Sequence, residues 1–266
     1  TYSYTYTIVY YFMLISMLGI NNYGNREVAK NRNDKKVLSE TFWGIYTIEF
    51  IATILMIVIY GIYIILFAKE FKNIAIIQIL FIVSSLFDIN WFFFGMEKFK
   101  ITISRNTLIK ILTTVLIFSV VKNEKDLWKY ALIMSGMTCV SQIILWPNLL
   151  REVGFVKVKK DSVKKHIKPC LILFIPVIAV SIYKLMDKIM LGILSEVSEV
   201  GLYDSAEKII SICFTVVNAI GMVMLPRISS LVADGNNNLI NDYTNSSRGA
   251  AMTEEEMVKF LKELQI

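Results

Sequence analysis

Residues 74–95 read IAIIQILFIVSSLFDINWFFFG, a run of 22 residues in which Asp88 is the one charge. As a helix it extends about 33 Å, enough to cross a hydrocarbon layer of about 30 Å. Outward from this run, six more windows repeat the pattern, roughly at 4–20, 43–67, 101–121, 127–150, 170–194 and 200–225. The expectation is an all-α, polytopic membrane bundle of about seven transmembrane helices. Composition agrees: 55% of the 266 residues are hydrophobic, 19% are charged and mean hydropathy is +0.56, against about 45–50% and about 25% in soluble domains. Such a chain is not an ordinary soluble enzyme. Cys139, Cys170 and Cys213 lie singly in apolar segments, so neither a disulfide framework nor a metal site is expected. The run at 4–20 starts at Thr1 with no methionine or charged leader, which reads as a start inside a longer chain rather than a signal peptide.

The net charge of +6 is distributed by side. Arg26, Lys30, Arg32, Lys35 and Lys36, then Lys98, Lys100 and Arg105, then Arg151, Lys157, Lys159, Lys160, Lys164, Lys165 and Lys168 fall in the connections 21–42, 96–105 and 151–168. The intervening connections hold Lys69, Lys72, Lys122 and Lys125, with Lys129 at a helix edge. By the positive-inside rule the first set is cytoplasmic and the chain starts outside. Cations placed this way answer to lipid headgroups and set topology; they do not form one nucleic-acid-binding face. No nucleic-acid partner is expected.

Charges inside spans are costly and need protein or water around them. On one side these are Glu49, Asp88 beside Asn90, Arg105 and Lys110, which either line an inner vestibule or, for Arg105 and Lys110, snorkel to headgroups. Asp88 snorkels least easily and ranks first there. On the other side Lys184, Asp187 and Lys188 fall at i, i+3 and i+4 on one helix face, and Glu207 and Lys208 follow in the next span. Lys188 and Glu207 lie at a shared depth, roughly 8–9 Å outward of their helix midpoints. These charges line a water-filled, slightly positive outer cavity suited to an anionic solute, or else they are ion-paired glue between two helices. Pro176 permits a kink in its span. His166, the single histidine, falls in the basic connection and is given no catalytic or relay role. No G-x-S-x-G, H-E-x-x-H, Walker or dinucleotide pattern occurs, so no catalytic residue, cofactor or self-powered ATP transport is expected.

Four strings carry a resemblance. Asn21-Asn22-Tyr23-Gly24-Asn25-Arg26-Glu27-Val28-Ala29 follows Leu18-Gly19-Ile20, and Phe87-Asp88-Ile89-Asn90-Trp91-Phe92-Phe93 precedes Gly95-Met96-Glu97. Asp187-Lys188-Ile189-Met190-Leu191-Gly192 comes next, then Ala206-Glu207-Lys208-Ile209 with Met224-Leu225-Pro226-Arg227-Ile228. Together, over about residues 1–240, they resemble the Wzx-type flippases of the multidrug/oligosaccharidyl-lipid/polysaccharide exporter superfamily. The resemblance implies two six-helix lobes around a cavity that opens alternately to each side of a bacterial cytoplasmic (inner) membrane. The implied substrate is an undecaprenyl-diphosphate-linked oligosaccharide for O-antigen or capsule. Lys184, Asp187, Lys188, Glu207, Lys208, Asp88, Asn90 and Arg26 are the candidate substrate-binding residues. Membrane lipids and the polysaccharide assembly machinery are the implied partners. A drug/cation antiporter or peptidoglycan-precursor flippase of the same superfamily, or a membrane polysaccharide polymerase, is the alternative.

On that template residues 1–150 are an N-terminal lobe lacking its first span, 151–169 a basic cytoplasmic linker, 170–240 the start of a C-terminal lobe and 241–266 an atypical tail. Such a chain is expected not to transport alone. An offset of 201 pairs Tyr2 with Tyr203, Ile8 with Ile209 and Arg26 with Arg227, consistent with parallel lobes.

Overall fold

The computed structural model describes residues 1–68, 70–158, 160–212 and 215. Cys213, most of the predicted seventh span, the string at 224–228 and the tail lie outside them. All secondary structure among the described residues is helical. Six helical stretches are long and apolar enough to cross a membrane: Tyr2–Asn31, Lys35–Leu66, Lys72–Gly95, Phe99–Val120, Leu127–Glu152 and Lys160–Leu194. This is the all-α polytopic membrane protein that the apolar runs predict.

The stretches that run toward the basic end are each broken in two. They form α1 (Tyr2–Met17) and α2 (Ile20–Asn31), α4 (Lys72–Ser85) and α5 (Asn90–Gly95), and α7 (Leu127–Ile143) and α8 (Trp146–Glu152). Those that return, α3 (Lys35–Leu66), α6 (Phe99–Val120) and α9 (Lys160–Leu194), are continuous. α4 packs against α1, α3 and α7, and α9 packs against α1, α2 and α3. With 16, 14 and 17 residues in α1, α4 and α7, the breaks come about 21–26 Å along each stretch, at a common depth.

Each break has a local cause. Leu18 (φ 44°) and Gly19 (φ 72°) are left-handed, and a Cβ on Gly19 would lie 2.8 Å from the backbone nitrogen of Phe174, so glycine lets α9 approach the chain there. Pro147, in the first turn of α8, has no N–H to continue the ladder of α7. Between α4 and α5 the side chain of Asp88 accepts from the backbone N–H of Asn90 at 3.1 Å, turning the chain into a new helix. The carbonyls released at this break are bonded from outside it. Tyr46 Oη donates to Leu86 O at 2.9 Å and Trp146 Nε1 donates to Phe87 O at 3.2 Å. In a lipid environment that compensation is required.

The basic connections differ from the sequence expectation. Arg26 and Lys30 stand on α2 and Lys35 and Lys36 start α3, joined by a turn that Asp34 caps through Lys36 N (2.9 Å) and Val37 N (3.1 Å). His166 is likewise helical, on α9 rather than in a loop, and 2% exposed. Residues 197–212 are helical. From Leu202 the chain belongs to a second compact unit, in which Lys208 pairs with Asp204 at 2.7 Å.

Candidate functional site

The predicted inner charges come together at the α4–α5 break. Asp88 Oδ1 accepts from Asn90 Nδ2 at 2.7 Å, and that amide also donates to Gln142 Oε1 of α7 at 3.1 Å. From α6, Arg105 donates to Asn90 Oδ1 (2.7 Å), Gln142 Oε1 (2.9 Å), Asn106 Oδ1 (2.8 Å) and Ser141 O (2.8 Å). Both terminal nitrogens are taken up by these partners, Nε has none among the described residues, and the residue is 6% exposed. Arg105 therefore does not snorkel, whereas Lys110 is exposed. One guanidinium thus ties the break in α4–α5 to the C-terminal end of α7, just before its own break.

Glu49 of α3 lies next in this layer, fully buried. Its Oε2 accepts from Trp91 Nε1 at 3.0 Å, and its Oε1 has no partner among the described residues. Trp91 also fixes α2: a Cβ on Gly24 would overlap the indole, and one on Gly95 would overlap Val28. Two of the strings that carried the resemblance, 21–29 and 87–97, are therefore the two sides of one packed contact. Between α2 and α9, Tyr23 Oη and His166 Nδ1 are 2.7 Å apart, while Nε2 of His166 is unpartnered among the described residues.

Toward the other end, Lys184, Asp187 and Lys188 do not share an environment. Lys184 and Asp187 are exposed, and Lys188 is 8% exposed. Spacings of seven from Ser181 to Lys188 and four from Lys188 to Gly192 put both on the stripe of α9 that faces α1. There Tyr11 Oη donates to Ser181 O at 3.2 Å, and a Cβ on Gly192 would overlap Tyr4. In the second unit Glu207 is half-buried and Lys208 exposed. Arg26 is exposed on α2.

Sequence reasoning missed Gln142, the hub between Asn90 and Arg105. A lone amide in the apolar run 127–145 was a signal of the same kind as the charges, since an amide in lipid also demands partners. It also missed Gln78 of α4, fully buried with neither amide atom bonded among the described residues, and Asp204, the partner of Lys208.

Among the described residues no group of His, Cys, Asp and Glu side chains could hold a metal ion. What is assembled is a multi-pass membrane protein in which three of the six described crossing stretches are interrupted at one depth around a buried polar layer. The chain belongs to the polysaccharide biosynthesis protein family, whose model matches residues 1–232. It is 26% identical over 229 residues to the "Putative O-antigen transporter" of Escherichia coli (strain K12), covering 84% of this chain and 55% of that protein. The chain thus spans about half the length of the curated relative it matches. No solved structure matches it.

Proposed function

We propose that the protein acts in flipping undecaprenyl-diphosphate-linked oligosaccharide repeat units from the cytoplasmic to the outer leaflet of a bacterial cytoplasmic membrane, by alternating access. The observation that carries this reading is the similarity to an O-antigen transporter over most of the chain. In this reading residues 1–150 form most of one lobe, 151–169 the linker, 170–240 the start of the other lobe and 241–266 a cytoplasmic tail. Lys184 and Lys188 attract the diphosphate, with Asp187 beside them on α9, and Glu207 of the second unit is a further substrate-binding residue. Lys208, paired with Asp204 in the second unit, is a further candidate donor to the substrate. Asp88 carries both Asn90 bonds on Oδ1, so Oδ2 is left to accept from a sugar hydroxyl, and Asn90 orients it. Arg26, exposed at the basic end, meets the phosphate before entry.

The test is binding by the full chain in lipid nanodiscs. An undecaprenyl-diphosphate-linked oligosaccharide should bind and a hydrophobic cationic drug should not displace it. Lys184→Gln with Lys188→Gln should weaken binding by roughly tenfold or more, the equivalent of about 1.4 kcal/mol. Displacement by the drug would favour an antiporter of the same superfamily, and unchanged affinity in the double variant would remove the lysines from the site.

A further inference from the structure

We propose that residues 153–158 and 160–168 form a preset docking site for the phosphate of an anionic membrane lipid at the basic end of the bundle. This inference stands apart from the flippase reading. It starts from an aromatic ring held where burial would be expected and yet left open.

Val153 is buried in the core, and Gly154 is bonded to α3 on both sides: its N–H donates to Ser39 Oγ at 3.1 Å and its carbonyl accepts from Trp43 Nε1 at 2.9 Å. Phe155 then stacks on Trp43, with ring centroids 5.3 Å apart, but remains 80% exposed. A ring held in this way against a tryptophan is fixed for contact with an acyl chain. Trp43 lies 23 residues from Leu66, the far end of α3, or about 35 Å, a little more than one hydrocarbon thickness. The pair therefore sits at the boundary where aromatic rings anchor membrane helices.

The charges beside it are arranged to one side. Lys160, Lys164, Lys165 and Lys168 are exposed on α9. At about 100° per residue they occupy an arc of roughly 140°, with the buried His166 opposite its centre. Lys157 is exposed two residues beyond Phe155, and Asp161 is the single anion of the segment. None of these lysines has a hydrogen bond or ion pair among the described residues. Lys168 lies about 39 Å and Lys164 about 45 Å along α9 from Leu194, the depth of a headgroup layer in a bilayer about 40–45 Å thick. An aromatic ring for the upper acyl chain beside unpaired ammonium groups at phosphate depth is the chemistry of an anionic lipid.

The full chain should be reconstituted with spin-labelled phosphatidylglycerol or spin-labelled phosphatidylcholine at matched fractions, and the motionally restricted lipid measured. Phosphatidylglycerol should be preferred on the order of fivefold. Lys157, Lys164, Lys165 and Lys168 all changed to Gln should bring the ratio near one, whereas Lys122→Gln with Lys125→Gln at the other end should preserve it. Phe155→Ala should reduce the preference while leaving every lysine in place. Unlabelled undecaprenyl diphosphate then distinguishes two sources of the phosphate. Displacement beyond its mole fraction identifies the carrier lipid as occupant, and displacement in proportion to it identifies bulk anionic lipid. No preference in the unsubstituted chain, or a preference untouched by the four lysine changes, would overturn the proposal.

Discussion

The two apolar clusters of the bundle are built differently. Toward the basic end, Phe42, Ile45, Trp91, Phe92, Phe93 and Leu149 surround broken helices, a buried Glu49 and the Arg105 hub. Toward the other end, Val9, Met56, Tyr60, Phe81 and Ile82 pack unbroken stretches of α1, α3 and α4, and tyrosine supplies the polar contact, as where Tyr60 Oη donates to Ala75 O at 3.2 Å. One end spends buried polar groups on keeping three interruptions closed; the other is a conventional helix bundle in which the buried Gln78 and Lys188 are exceptions. A uniform scaffold would need no such asymmetry. Broken crossing helices held by exchangeable polar contacts are where a membrane bundle can change shape without exposing backbone to lipid.

That contrast can be broken most severely at Arg105. Arg105→Ala removes the side-chain donor to Asn90 Oδ1 and Ser141 O and leaves Gln142 Oε1 with Asn90 alone, and unfolding in mixed micelles should show a loss of about 3–5 kcal/mol. A loss below about 1 kcal/mol would mean that the hub does not hold the breaks. Next comes Gly24→Val, which drives a side chain into Trp91 and should destabilise by about 1–3 kcal/mol, read as a lowered thermal midpoint in detergent. At the quieter end, Tyr60→Phe removes one hydrogen bond while keeping the ring, so about 1 kcal/mol is expected. If Tyr60→Phe costs as much as Arg105→Ala, the two ends are not different in kind.

The smallest effect belongs to the connection before α7. Lys129, 2.6 Å away, together with the backbone N–H groups of Lys122 and Asn123, holds the Asp126 carboxyl below its ordinary range. The folded value being the lower one, this contribution is complete above the unfolded pKa of about 3.9 and is lost as pH falls through the folded one. Protection of the amides of residues 122–126, taken relative to intrinsic exchange at each pH, should fall at acid pH, and Asp126→Asn should abolish that dependence.

Much of this was legible because lipid is an unforgiving solvent. Apolar runs located the six described stretches, and the cost of Asp88, Asn90 and Arg105 in such runs marked the residues that meet at the α4–α5 break. The breaks themselves were not legible, because hydropathy is indifferent to a left-handed Leu18-Gly19 or to a carbonyl passed from one helix to the Tyr46 hydroxyl of another. Nor could spacing alone separate Lys188, turned toward α1, from Lys184 four residues before it and the adjacent Asp187, which are exposed. His166 was misplaced because cations around it imitate a loop, whereas α9 continues through them with the imidazole against Tyr23.

The account rests on a bundle whose broken, basic end faces the cytoplasm, and orientation can be measured directly. With Cys139, Cys170 and Cys213 changed to alanine, single substitutions Asn33→Cys, Ser162→Cys and Asn123→Cys would be exposed to a membrane-impermeant thiol reagent in intact cells. Asn123→Cys should label, and Asn33→Cys and Ser162→Cys should label only after the membrane is opened. Labelling of Ser162→Cys in intact cells with protection of Asn123→Cys would invert the topology and contradict the account.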